Sequence, residues 1–166
     1  MKNKISRRSF LAAAAVSAAA LAVTGCDAKK SKKEVTDITV WNYYNGDQLE
    51  SFNRLVSTFN ETIGKAKGIR VTGSSQGTVN DLEANVMDAA EGKVGSAEMP
   101  TIFAAYADTA YKLDQMGMVV DLKDYLTEDE KAAFVPGYIT EGDFDGSGSI
   151  KIFPVAKSTE LMFFND

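Results

Sequence analysis

The chain has 166 residues, 45% hydrophobic and 25% charged, which are ordinary proportions for a globular protein. It holds no histidine and a single cysteine, Cys26. That excludes Ser-His-Asp and Cys-His catalysis, an internal disulfide and a cysteine-based zinc site. The formal charge is −5; without Lys2, Lys4, Arg7 and Arg8, which sit in a leader-like segment, 14 basic side chains face 23 acidic ones, a balance of −9. Such a chain repels phosphate backbones, so nucleic acid is not an expected partner.

Residues 1–8 form a basic stretch, and residues 11–23 an Ala-rich apolar segment of 13 residues. A membrane span needs ~20 apolar residues, so this segment suits a signal peptide over residues 1–25. Ser6-Arg7-Arg8-Ser9-Phe10-Leu11 resembles the twin-arginine export motif, with Ala12 where Lys is frequent. The competing reading makes Arg7 and Arg8 the charges of an ordinary Sec signal. Leu21-Ala22-Val23-Thr24-Gly25-Cys26 resembles a lipobox. A thiol there takes the diacylglyceryl group, small residues admit the peptidase, and the lipid anchors the protein at the membrane surface. Residues 26–36 are short, polar and charged and read as a tether behind the lipidated Cys26.

The folded part, residues 37–155, reads as strands alternating with helices. Ile38 and Val40 alternate with polar neighbours up to Trp41, a first strand, and residues 42–46 are a turn. Asp47 and Glu50 resemble a capping box opening a helix, along which Leu49, Phe52, Val56, Phe59 and Ile63 recur at helical spacing until Gly64 and Gly68 break it. Residues 69–72 are a second strand and 73–77 a second turn. Thr78 and Asp81 cap the next helix, with the stripe Val79, Leu82, Val86 and Ala90. After a loop over 92–99, residues 101–105 read as a third strand, and Asp108 as the cap of a helix through Leu113 that Gly117 ends. Residues 118–122 cross back towards the core, and Thr127 with Glu130 starts a further short helix.

That alternation predicts an α/β fold with a mostly parallel sheet flanked by helices. Open sheets of this kind bind ligands beyond the carboxyl ends of their strands, which selects residues 42–46, 73–77 and 106–108. Tyr43 and Tyr44 are candidates to stack on a sugar face; Trp41 reads equally as core or pocket. Ser74 and Gln76 precede a helix N-terminus and suit a phosphate, carboxylate or sugar hydroxyl, though a plain turn reads as well. The segment lacks a P-loop's Gly-Lys-Ser/Thr, so nucleotide hydrolysis is not indicated. Tyr106 and Asp108 stand at the third strand end, Asp108 being a cap or a ligand contact. Residues 143–150 partly mimic a calcium loop, but Pro154 occupies the place of the bidentate Glu, so they read as a Gly-rich hairpin and no metal site is assigned. Lys112, Lys123 and Lys131 read as solvated charges.

The ordered set Ile38-Thr39-Val40-Trp41, Phe59-Asn60, Pro100-Thr101-Ile102-Phe103, residues 117–122, Phe153-Pro154-Val155 and residues 158–165 resembles the extracellular solute-binding proteins of ABC importers, in the family of the maltose- and glycerol-3-phosphate-binding proteins. Members often carry Pro-Asp-Val where this chain has Pro-Thr-Ile. The resemblance implies a type II periplasmic-binding-protein-like N-terminal lobe, with residues 153–155 a strand entering the hinge and residues 156–166 a crossing strand that starts a missing second lobe. The apolar run at 161–164 near the chain end fits the expectation of truncation. It further implies hinge closure on a small-molecule solute, delivery to a membrane permease, no cofactor and no catalytic residue. Ser158 and Thr159 fall where the family contacts its ligand, Ser158 being alternatively a partner of hinge backbone. Lys157 beside them would suit an anionic solute. Neither the Val79 region nor Ala107 supplies the aromatic and acidic partners of glycerol-3-phosphate binders, so a neutral sugar or polyol is expected first. The rival expectations are an extracytoplasmic enzyme and a sensory or interaction lipoprotein on the same scaffold.

Overall fold

The computed structural model describes residues 35–157 and Met162. Residues 1–34, with Arg7, Arg8 and Cys26, lie outside the described residues, as do Ser158 and Thr159.

Strand β1 (Thr36–Asn42) is the centre of a three-stranded parallel sheet of order β2-β1-β3. Strand β2 (Ile69–Ser75) pairs with it along its whole length, from Thr36 opposite Ile69 to Asn42 opposite Ser75. Strand β3 (Ile102–Phe103) pairs only at Val40 and Trp41. Parallel neighbours cannot be joined by a tight hairpin. The crossovers are helix α1 (Gly46–Phe59) between β1 and β2, and helix α2 (Val79–Ala90) between β2 and β3.

The pleat sends alternate side chains to opposite faces. On one face Phe52 of α1 lies against Gly73, so closely that a Cβ there would meet its ring at 2.5 Å. On the other, Trp41 packs with Leu82, Val86 and Ala90 of α2 and with Leu113 of helix α3 (Ala107–Gln115). Leu82, Val86 and Leu113 are at most 1% exposed, each burial contributing about 1.5–3 kcal/mol. Leu82, Val86 and Ala90 of the expected α2 stripe form this buried face, while Val79 is only half-buried. Thr109 of α3 is also buried, and its hydroxyl donates to Glu83 of α2 at 3.1 Å.

The ends of the elements depart from the sequence reading in several places. Asn45, not Asp47, precedes α1 as its cap and makes no side-chain cap bond; Glu50 instead faces Arg54 at 3.8 Å. Gly64 does not break the helix. The chain continues through a π-helical turn (Asn60–Gly64) and one α-turn (Lys65–Lys67), and stops at Gly68, whose φ of 73° is left-handed. The wider turn brings Asn60 beside β2, where its amide donates to Val71 O and accepts from Val71 N–H, both at 2.8 Å. A side chain thus supplies the hydrogen bonds that a neighbouring strand would make at this sheet edge. Gly64 is needed for close approach: a Cβ would lie 2.6 Å from Ile69 O.

Residues 73–75 are strand rather than turn, because β2 stays paired through Ser75. The third strand is only two residues long. Ahead of it, Thr39 and Thr101 exchange backbone-to-hydroxyl bonds at 3.2 and 2.9 Å, replacing ladder bonds next to Pro100. Helix α3 is capped from Tyr106, without a side-chain bond; Asp108 lies in its first turn. The Thr78/Asp81 box is present in both halves, as is Thr127/Glu130 at helix α4 (Glu128–Ala132).

After Gly117 (φ 71°) ends α3, no strand occurs among the described residues. Residues 118–122 are irregular, with Leu122 N–H donating to Ile150 O at 2.9 Å. Helix α5 (Pro136–Ile139), unanticipated, opens on its proline. Residues 143–150 turn without flanking paired strands, and residues 153–155 are irregular. The expected strands fail for one reason: a short apolar run becomes a strand only where a neighbour completes its hydrogen bonds.

Candidate solute site at the carboxyl end of the sheet

The last residue of β1, Asn42, is 2% exposed. Its Oδ1 accepts Tyr44 N–H at 3.0 Å, fastening the turn into α1. From β2, Ser75 Oγ donates to Tyr44 O and Gln76 N–H to Asn42 O, both at 2.8 Å. From beyond β3, Ala104 N–H donates to Trp41 O at 3.0 Å. The main chain at the end of β1 is therefore held from both sides.

At the end of β2, Gln76 Nε2 donates to Ser74 Oγ at 2.9 Å, and Asn85 Nδ2 donates to Gln76 Oε1 at 3.1 Å. The result is a neutral hydroxyl–amide–amide chain that runs from the strand onto α2. Gln76 and Asn85 line a cleft of ≈ 360 Å³ together with Trp41, Asp88, Lys93 and the loop over 94–97. This is a small-molecule scale. Its cation is neutralised on the spot: Lys93 Nζ lies 2.6 Å from Asp88 and 3.1 Å from Glu91. Those bonds, Asp88's first, raise the Lys93 pKa.

Of the residues singled out from sequence, Gln76 and Trp41 meet in the cleft, with Ser74 one hydrogen bond away. Tyr43 and Tyr44 are half-buried. Tyr43 packs on the apolar cluster, and Tyr44 has ring centroids 5.5 Å from both Tyr43 and Phe52. Tyr106 and Asp108 stand exposed at the end of β3, outside the cleft lining, and Asp108 is 4.0 Å from Lys112. Lys157 does not stand free for an anion: it is bonded to Glu141, with its ammonium 5.9 Å from the centre of the Tyr138 ring.

Sequence reasoning passed over Asn42, Asn85 and Lys93. Asn42 opened a selected loop, and its polarity directly after Trp41 was the available signal. Asn85 and Lys93 carried none, since their neighbours are set by how α2 and its following loop fold back.

The calcium-like turn uses its acids on itself. Asp143 accepts Gly148 N–H at 3.1 Å, and Asp145 accepts Ser147 N–H at 3.0 Å. The Ser147 hydroxyl and N–H hold the Asp145 carboxyl below the usual range. Lys123, expected to be solvated, donates to Ser147 O at 3.0 Å, and Lys131 is half-buried against Glu128 at 2.8 Å. Among the described residues no group of three or more His, Cys, Asp or Glu is placed to hold a metal ion, and no helix is long and apolar enough to cross a membrane.

An open parallel sheet with polar and aromatic side chains gathered at its carboxyl end is the architecture of a ligand-binding lobe. Residues 54–166, well over half of the chain, match the family described as bacterial extracellular solute-binding protein, and the chain belongs to that family. A comparison with curated proteins returns no match.

Proposed function

We propose that the protein captures a neutral carbohydrate or related polyol outside the cytoplasm, as the lipid-anchored binding component of an ABC importer. The observation that carries the choice of solute is the uncharged Ser74–Gln76–Asn85 chain beside Trp41. Hydroxyls and amides both donate and accept, as a sugar's hydroxyls require, and an indole suits the apolar face of a pyranose. The cations nearest in space or sequence, Lys93 and Lys157, are each held by carboxylates, which disfavours a phosphorylated solute. Ser158 and Thr159 complete the site from the hinge in this reading. The lipobox at Cys26 supplies the anchor, and Arg7-Arg8 the twin-arginine export signal.

Binding is read by isothermal titration calorimetry, which needs no reporter group in the site. Full-length protein is titrated with glucose, maltose and sorbitol, and with glycerol 3-phosphate as the anionic control. Saturable change with a neutral compound and none with the phosphate supports the reading; the reverse preference overturns the solute class. Mass spectrometry of the mature N-terminus checks Cys26, where an unmodified thiol rejects the anchor.

A further inference from the structure

Helix α2 carries Asn85 and Asp88 three residues apart, so both stand on one helix face, and both line the cleft together with Lys93. The Asp88 side chain is 43% exposed, open to a solute as it stands. Gly92, with a left-handed φ of 63°, turns the chain back at the end of α2, where Lys93 N–H donates to Asp88 O at 3.0 Å. That return sets the Lys93 ammonium 2.6 Å from Asp88 Oδ1 and 3.1 Å from Glu91 Oε2. Two of its three N–H donors are thereby taken. Asp88 Oδ2 accepts from no donor among the described residues, and an ionised carboxylate has acceptor sites on both oxygens. One ammonium between two carboxylates leaves negative charge in excess beside the cleft.

We propose that Asp88 is a specificity-determining residue of the cleft: its Oδ2 accepts a hydroxyl of the bound solute, while its Oδ1 keeps Lys93 from an anionic one. This rests on the solute-binding reading above and adds a selecting group to it. The amides of Gln76 and Asn85 both donate and accept, so they do not by themselves tell a hydroxyl from an anion. The carboxylate beside them does. It only accepts, which suits a hydroxyl donor, and an ionised phosphate or carboxylate solute meets repulsion from Asp88 and Glu91. The bond to Lys93, short and charge-assisted, fixes the carboxylate in place. An unfavourable contact against the wrong solute is thus joined to a favourable one for the right solute.

The test uses the full-length protein, isothermal titration calorimetry for affinity and thermal unfolding to check the fold, with glucose, maltose, sorbitol and glycerol 3-phosphate as probes. Asp88→Asn keeps the shape of the side chain and removes its charge. Its affinity for the neutral probe that the wild type binds is expected to fall about tenfold or more, as for one lost hydrogen bond to a charged group. Asp88→Ala is the second variant should asparagine disturb α2, since alanine is the best helix former. The same fall is expected of it. Asp88→Asn combined with Glu91→Gln leaves Lys93 without a carboxylate partner, and is expected to gain saturable binding of glycerol 3-phosphate that weakens as salt is added. A side chain that only closes the loop would not produce that gain. Neutral affinity within about twofold of wild type in a folded variant, or no binding of glycerol 3-phosphate by the folded double variant, overturns the proposal and leaves solute binding standing. No binding of any neutral probe by the wild type overturns the solute reading itself, and this selection falls with it.

Discussion

Residues 36–115 and residues 118–157 are held together by different physics. The first region is a parallel ladder with apolar cover, in which Trp41, Leu82, Val86 and Leu113 form one buried cluster. The second has no strand among its described residues, and much of its apolar surface is exposed: Val120 at 63%, Tyr125 at 76% and Val155 at 79%. Its order comes from caps, turns and charge around a small apolar centre, the buried Ile139 and Ile150 and the edge-on contact of Phe134 with Phe153. Asp121 accepts Lys123 N–H and Ile150 N–H, both at 2.9 Å, and Lys151 pairs with Asp114 at 2.5 Å. That last pair fastens the second region to α3. A region built mainly on burial answers to lost volume; one that leans more on polar bonds answers also to pH and to the removal of single side chains.

The largest expected effect breaks the first region. Leu82→Ala opens a cavity where the side chain is 1% exposed and should cost about 2–5 kcal/mol in urea unfolding. A cost as small as that of a surface substitution would mean that the cluster does not govern stability. Gly64→Ala comes next, since its new methyl meets Ile69 O rather than a movable side chain. Overpacking against backbone should cost about 1–3 kcal/mol, whereas Gly137→Ala, with open space around it, should be close to neutral. Thr78→Ala removes one half of a capping box and should cost about 1 kcal/mol, read from the same denaturant midpoints.

The smallest global effect is expected from acid, and it sharpens the contrast most. Backbone N–H groups of Ile150 and then Lys123 lower the Asp121 pKa. A carboxyl whose folded pKa lies below its unfolded value stabilises the fold above the ordinary carboxylate range, and loses that contribution as pH falls through the lowered value. Acidification should therefore lower the hydrogen-exchange protection factors of Ile150 and Lys123 before it lowers that of Leu82. Asp121→Ala should reproduce the pattern at neutral pH. Simultaneous loss of protection at all three amides would show that the two regions unfold as one.

Much of the first region was legible in the sequence. The period-two run to Trp41 and the stripe Leu82, Val86, Ala90 are direct consequences of backbone geometry. The Thr78/Asp81 and Thr127/Glu130 boxes and the stops at Gly68 and Gly117 are equally local. The candidate site was only partly legible. Ser74 and Gln76 follow from the rule that strand ends bind ligands, but the partner of Gln76 is Asn85, a helix residue whose own sequence context is unremarkable.

By itself, then, the sequence determined the alternation of strands and helices, the face that each helix buries and most of the caps, because those depend on neighbours within a few residues. Tertiary structure alone decided where strands end and which polar groups are left over. Strand β2 runs through Ser75 because β1 lies beside it, and its outer edge at Val71 is closed by Asn60 only because a π-turn carries that amide across. Lys157, read from its neighbours as a charge for an anionic solute, belongs to Glu141, and the buried Asn42 Nδ2 finds no acceptor among the described residues. Hydrogen bonds and ion pairs are settled between groups distant in the chain, and periodicity carries no record of them.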